Sequence, residues 1–102
     1  MEAEKKYQNT VLIHELKILA TEVTLGRMSD NDVYIDDKTV SGHHARIFTY
    51  FNTSYIEDLN STNGTFLNGQ RVHKHIIHNG DEVQIGSYLF VISKPAVDLK
   101  EI

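Results

Sequence analysis

The chain has 102 residues, of which 40% are hydrophobic and 24% are charged, proportions that suit one globular domain with a packed core. It contains no cysteine and carries a formal net charge of −4, which excludes a disulfide framework and a thiolate metal site and argues against nucleic-acid binding. The longest unbroken apolar run, residues 88–92, is too short to cross a membrane, and the N-terminus lacks the apolar stretch of a secretory signal. We therefore expect a soluble, cytoplasmic protein that binds neither nucleic acid nor membrane.

The chain divides into a tail, a domain and an exit segment. Residues 1–9 predict a flexible, charged N-terminal tail, and residues 94–102 predict a C-terminal linker or a short helix. Pro95, the only proline, marks the exit from the domain. Residues 10–93 between them form the domain. No part of the domain shows a sustained 3.6-residue period, so we predict strands rather than helices.

Strand and turn signals alternate along the domain. Residues 11–18 predict a first strand. "HARIFTY" and "SYIEDL" surround the turn "FNT", "TFL" and "QRV" surround Asn68-Gly69, and "DEVQIG" and "SYLFVIS" meet at Gly86, so three hairpins are predicted. Many short strands at close spacing favour a β-sandwich whose loops gather at its ends.

Three loops carry more polar residues than their turns need. They are "LGRMSDND" with Arg27, "KTVSGHHA" with Ser41, and "NSTNG" with Thr62 and Asn63. A guanidinium suits bidentate contact with an oxyanion, hydroxyls donate hydrogen bonds, and an amide can both donate to and accept from a peptide backbone. If the loops meet at one end of the sandwich, they form a site for a tetrahedral anion beside an extended chain, and phosphate on a peptide fits it.

The order of the motifs identifies a family resemblance. "GR", "NDVYIDD", "SGHHA", "DLNSTNGTFLNGQRV" and "NGDEVQIG" resemble, in sequence and spacing, the successive motifs of a forkhead-associated (FHA) domain over roughly residues 23–92. The resemblance implies an all-β fold, namely an eleven-stranded antiparallel β-sandwich with its binding loops at one end. It also implies a phosphopeptide-recognition module that binds phosphothreonine-containing proteins, has no catalytic activity or cofactor, and forms part of a larger protein.

The resemblance also implies roles for individual residues. Arg27 would contact the phosphate, Ser41 would donate its hydroxyl to it, Thr62 would hold it through its loop, and Asn63 would hydrogen-bond the peptide main chain. Gly42 occupies a position that is often basic or amide-bearing in the family and that usually adds a phosphate contact. Three further residues would shape the loops without touching the ligand: Gly26, His44 and Gly64.

Other functions remain open from the residues alone. An FHA-like sandwich could bind an unmodified partner without phosphate. Ser41 beside His44 is the beginning of a nucleophile–base pair, although no third orienting group is indicated. Two groups of residues raise metal binding: His73, His75 and His78 for zinc, and Asp30, Asp32, Asp36 and Asp37 for calcium. The histidines also suit a solvated connection between strands, and the aspartates lack the glycine and glutamate of a calcium loop.

Overall fold

The computed structural model of the chain describes residues 12–95, so the predicted tail at 1–9 and most of the predicted segment at 94–102 lie outside the described residues. Within 12–95 the chain forms ten strands and no helix, and therefore contains no helix able to span a membrane. The strands are β1 (Leu12–Lys17), β2 (Glu22–Gly26), β3 (Val33–Tyr34), β4 (Ala45–Tyr50), β5 (Thr53–Asp58), β6 (Thr65–Leu67), β7 (Gln70–Val72), β8 (Lys74–Ile77), β9 (Glu82–Ile85) and β10 (Tyr88–Ser93).

The strands form two five-stranded sheets, in the orders β1-β10-β9-β6-β7 and β3-β2-β4-β5-β8. The predicted all-β sandwich is confirmed, but the sheets are mixed rather than antiparallel. β1 runs parallel to β10, and β2 runs parallel to β3. The two parallel pairs are connected differently: the whole domain lies between β1 and β10, as parallel strands usually require, whereas only residues 27–32 separate β2 from β3. A sequence pattern that marks local hairpins does not reveal such a pairing.

The strand count is ten in the described residues instead of the eleven that the family resemblance implies. Only residues 18–21 join β1 in one sheet to β2 in the other. The Ile18 N–H donates to the Ser93 carbonyl, and the Thr21 carbonyl accepts from the Thr49 N–H, both at 2.9 Å. The two ends of this short link therefore extend the neighbouring ladders, and no separate strand forms between them.

All three predicted hairpins are confirmed. β4 pairs with β5, β6 with β7, and β9 with β10. The Asn68-Gly69 turn has φ values of 50° and 86°, and Gly86 has a φ of 60°, as tight turns between twisted strands require. The β4–β5 turn places Phe51 and Asn52 at φ values of 50° and 66°, a conformation that bulky residues rarely adopt.

The inner faces of the sheets bury one aliphatic core. Strand alternation places side chains such as Ile47, Ile56, Val83, Ile85 and Ile92 between the sheets, where each is at most 2% exposed. At about 25 cal/mol per Å² of buried apolar surface, such a core stabilises a rigid sandwich. The loops at the end where β2 finishes and β4 and β6 begin are therefore held on a fixed platform.

Candidate functional site

Three loops meet at one end of the sandwich, and we call this region the loop end: residues 27–32, 35–44 and 59–64. The Arg27 N–H donates to the Ser41 carbonyl at 3.0 Å. The Thr62 N–H donates to Ser41 Oγ at 3.0 Å, and Asn63 Nδ2 donates to the Thr39 carbonyl at 2.8 Å. The structure thus brings together the polar residues that the sequence analysis singled out in separate loops.

Arg27 is exposed at the loop end and is held by one side of its guanidinium. Its Nε–H donates to the Val40 carbonyl at 2.9 Å. In residues 12–95 no carboxylate pairs with Arg27, whereas Arg46 on β4 pairs with Glu22 and Glu57. The terminal nitrogens of Arg27 therefore remain available to an oxyanion, and the Nε hydrogen bond reduces the side-chain entropy that such a contact would cost.

Ser41 has a hydroxyl that can still donate. Its oxygen accepts the Thr62 N–H, and its own backbone N–H donates to His44 Nδ1 at 3.1 Å. A serine hydroxyl can accept and donate at the same time, so its proton is not used by the Thr62 contact. The loop end consequently presents a guanidinium and a hydroxyl donor on adjacent loops.

His44 connects two of the loops from below. Its ring is completely buried, Nδ1 accepts the Ser41 N–H, and Nε2 lies 2.9 Å from the Gly64 carbonyl. Because a carbonyl can only accept, Nε2 must carry the proton, which assigns the neutral Nε2–H tautomer. Nδ1 contacts the Ser41 amide rather than its hydroxyl, so the structure does not form the serine–imidazole contact that a nucleophile–base pair needs.

Asp58 organises the third loop and was not among the site residues predicted from the sequence. Its carboxylate accepts the Ser61 hydroxyl at 2.5 Å, the Thr65 hydroxyl at 2.7 Å and the Ser61 N–H at 3.0 Å. Burial raises the Asp58 pKa, but the hydrogen bonds from Ser61 and Thr65 outweigh burial, and the net pKa is lowered. The spacing Asp-x-x-Ser after a strand was the available signal, since such side chains bond nearby amides in turns.

Asp58 also lies near the buried imidazole, with 3.9 Å between Oδ1 and His44 Nε2. The sequence indicated no carboxylate at this place. Both carboxylate oxygens are already engaged by Ser61 and Thr65, so Asp58 stabilises the loop, and the Nε2 proton is donated to the Gly64 carbonyl.

Gly26 and Asn31 allow two loops to pack closely. A Cβ at Gly26 would lie 2.1 Å from the Gly42 carbonyl oxygen, a distance that no side chain tolerates. Asn31, which is buried, donates through Nδ2 to the Met28 and Gly42 carbonyls at 2.7 and 2.8 Å. The resemblance suggested a structural role for Gly26. The role of Asn31 could be recognised only in the structure, because one of its two partners, the Gly42 carbonyl, lies eleven residues away in the chain.

The histidine and aspartate groups do not converge. Among residues 12–95 no three histidine, aspartate or glutamate side chains come close enough to hold a metal ion. The aspartates bind separate partners instead: Asp30 contacts His43 Nε2 at 3.0 Å, Asp32 accepts the Thr24 N–H at 2.9 Å, and Asp37 accepts from Thr39 and Ser87.

Asp37 links the loop of residues 35–44 to the β9–β10 turn, and its lowered pKa makes this contact sensitive to acid. The Thr39 hydroxyl, followed by the Ser87 and Thr39 amides, lowers the Asp37 pKa to about 2. A carboxylate whose pKa is lowered by folding stabilises the fold at pH values above its unfolded pKa of about 3.8. This stabilisation is lost as the pH falls through about 2. Asp37→Asn should therefore lower the free energy of unfolding by about 1 kcal/mol at pH 7, after allowance for solvent screening. Urea titrations should show this difference shrinking between pH 4 and pH 2; a pH-independent difference would contradict it.

Comparison with known proteins identifies the family. The FHA domain family matches residues 23–86. The chain belongs to the FHA domain family. The glycogen accumulation regulator GarA of Mycobacterium tuberculosis is 42% identical over 66 residues, which cover 65% of this chain and 41% of GarA. The chain thus spans about two fifths of the length of that relative.

Two solved FHA structures resemble this one and contain phosphopeptides. Mycobacterium tuberculosis EmbR, solved in complex with a low-affinity phosphopeptide, has a TM-score of 0.71 and 31% identity, over 79% of this chain and 22% of that chain. The N-terminal FHA domain of S. cerevisiae Rad53p, solved with a phosphothreonine peptide, has a TM-score of 0.60 and 31% identity, over 64% of this chain and 56% of that chain.

Proposed function

We propose that this FHA domain binds phosphothreonine-containing protein segments at its loop end. The observation that carries the proposal is the arrangement of Arg27 and Ser41, whose loop hydrogen bonds leave the terminal guanidinium nitrogens and the hydroxyl proton available side by side. The phosphopeptides bound by EmbR and Rad53p support the same use of the fold. The free donors match a phosphate, which accepts several charge-assisted hydrogen bonds at once.

Each loop residue contributes a separate part of the proposed contact. Arg27 supplies the charge and a bidentate contact to two phosphate oxygens, and Ser41 donates its hydroxyl to a third. Thr62, which is exposed on the adjoining loop, holds Ser41 Oγ in place through its amide. Asn63 uses Nδ2 on the Thr39 carbonyl, so its Oδ1 remains free to accept an N–H from the main chain of the peptide.

We also propose that the domain acts as a non-catalytic, cytoplasmic module of a larger protein. GarA is a regulator, and its greater length shows that such a domain can occupy part of a chain. The contacts of Ser41 and His44 support this role, because both bind backbone groups of neighbouring loops rather than each other's reactive atoms.

The alternative is an FHA-like module that recognises an unmodified partner. Pull-down with an oriented phosphothreonine peptide library, followed by phosphatase treatment of the retained ligand, separates the two. We expect phosphatase to release the ligand. Retention of a dephosphorylated ligand with undiminished affinity would reject phosphate recognition and support the alternative.

Binding should weaken at acid pH. The second phosphate pKa is about 6, so the ligand loses nearly one negative charge between pH 7.5 and pH 5. Asp37 and Asp58 remain ionised over this range because their pKa values are lowered, so these two loop contacts persist. Calorimetry should show severalfold weaker binding at pH 5. A difluorophosphonate ligand, which ionises at lower pH, is the control and should lose less affinity; equal losses for both ligands would place the effect in the protein.

Gly42→Arg should tighten phosphopeptide binding. The backbone of Gly42 is not left-handed, and a Cβ there would lie 3.1 Å from the side chain of Met28, which is 54% exposed and can move. Arginine can therefore enter without backbone strain and add a partly screened contact of about 0.5–2 kcal/mol.

The variants Gly42→Lys and Gly42→Ala separate charge from backbone effects. We expect lysine to tighten binding less than arginine and alanine to leave the dissociation constant nearly unchanged. Equal weakening by all three substitutions would show that this position is required for its close backbone packing and does not face the phosphate.

A further inference from the structure

A second concave surface lies beside the proposed phosphate site and has no role in it. It encloses about 510 Å³ and adjoins the loop that carries Thr62 and Asn63. Six residues line it, and Arg71 is the one cation among them: Asp58, Asn60, Ser61, Arg71, Val72 and His73.

Arg71 is the charged side chain that distinguishes this surface. It lies exposed on β7, and an ideal Cβ built on Gly64 would be 2.7 Å from Arg71 Nε and 3.0 Å from Cζ. The guanidinium therefore packs against the backbone of Gly64, directly after Asn63 in the chain. Within residues 12–95 no carboxylate or carbonyl binds it, so its donors are available. An unpaired arginine stands out on a chain with fourteen acidic and ten basic residues.

The neighbours of Arg71 favour an anion. His73 follows two residues later and lines the same surface, so its ring N–H offers a second hydrogen-bond donor. Asp58 is the only acidic residue in the lining, and the hydroxyls of Ser61 and Thr65 and the Ser61 amide already occupy its oxygens. A ligand carboxylate would therefore find the Arg71 guanidinium free to bind it, while the oxygens of Asp58 already accept hydrogen bonds from the protein.

We propose that Arg71 is a specificity-determining residue that binds an anionic side chain elsewhere in the phosphopeptide. The inference rests on the proposed function, because the phosphothreonine must first be held by Arg27 and Ser41. An extended peptide advances about 3.3 Å per residue, so a side chain a few positions from the phosphothreonine reaches from Asn63 past Gly64 to Arg71. The anion is a glutamate, an aspartate or a second phosphorylated residue, each of which suits a guanidinium.

The test is a glutamate scan in a neutral phosphothreonine peptide, with one glutamate placed in turn at each of the positions around the phosphothreonine. Dissociation constants are measured for the wild type, Arg71→Gln and Lys17→Gln. Lys17→Gln is the matched control, since it removes the same charge from an exposed residue of β1 that pairs with Ser93, away from the loop end. Arg71→Lys serves as a partial rescue that keeps the charge.

We expect a glutamate at one position to tighten binding roughly 3- to 10-fold in the wild type and in Lys17→Gln. Arg71→Gln should lose this gain while binding the neutral phosphopeptide within about twofold of the wild type, and Arg71→Lys should retain part of it. A gain that survives in Arg71→Gln, or no gain at any position, would overturn the role of Arg71. The unphosphorylated form of the neutral peptide is titrated alongside; if the phosphopeptide binds no better than this form, the proposed function itself fails, independently of the result for Arg71.

Discussion

Arg27→Ala should abolish detectable phosphopeptide binding while leaving the fold intact. The substitution removes the guanidinium that the loop hydrogen bonds hold beside Ser41, so a dianion would be left with neutral donors. The loss of one such charge-assisted contact costs about 2–5 kcal/mol, or tens to thousands of times in affinity. The stability cost should be small, because the side chain is exposed and its Nε bond reaches one carbonyl.

Calorimetry with a selected phosphothreonine peptide measures the effect, and thermal melting verifies the fold. Arg27→Lys is an informative partner variant, since it keeps the charge but loses the fork that binds two oxygens; we expect intermediate affinity. Wild-type affinity in Arg27→Ala would show that the phosphate does not bind at this residue.

His44→Ala should be the most destabilising of these substitutions. It leaves the Ser41 N–H and the Gly64 carbonyl without their partner inside a fully buried space. Two orphaned backbone groups together with the cavity should lower the free energy of unfolding by about 3–4 kcal/mol. Phosphopeptide binding should weaken as a consequence, because the loops that carry Ser41 and Thr62 lose their common support.

His43→Ala provides the matched control for His44→Ala. His43 is the adjacent histidine, but its side chain is 54% exposed and its contact is an ion-pair-type hydrogen bond to Asp30. Its removal should cost less than about 1 kcal/mol. Urea denaturation of both variants decides the point: similar small effects, with binding lost only in His44→Ala, would instead make His44 a ligand contact.

The fold could be predicted where local chemistry determines it. The Asn68-Gly69 turn and the alternation in β4 and β5 each specify a hairpin from neighbouring residues alone. The parallel pair β1–β10 joins the two ends of the domain, and residues 18–21 carry the chain from one sheet to the other without forming a strand. Such features are decided by tertiary packing, which no local pattern encodes.

The candidate site follows the same division. Arg27, Ser41 and Asn63 stand in loops whose polar residues exceed what a turn requires, so the sequence could indicate them. The two supporting residues differ in this respect. Asn31 donates to the Gly42 carbonyl of another loop, a contact that exists only once the two loops meet. Asp58 bonds Ser61 and Thr65 just after it in the chain, so its Asp-x-x-Ser spacing was a local signal that the predicted site residues did not include.

Phosphothreonine recognition at the loop end is tested most directly by a nuclear magnetic resonance titration of the labelled domain with a selected phosphothreonine peptide, repeated with the unphosphorylated peptide. We expect large shifts of the amides of Arg27, Ser41, Thr62 and Asn63 with the phosphopeptide, and none with the unmodified peptide. Shifts that centre on the outer face of a sheet, or that are the same for both peptides, would contradict phosphothreonine recognition at the loop end.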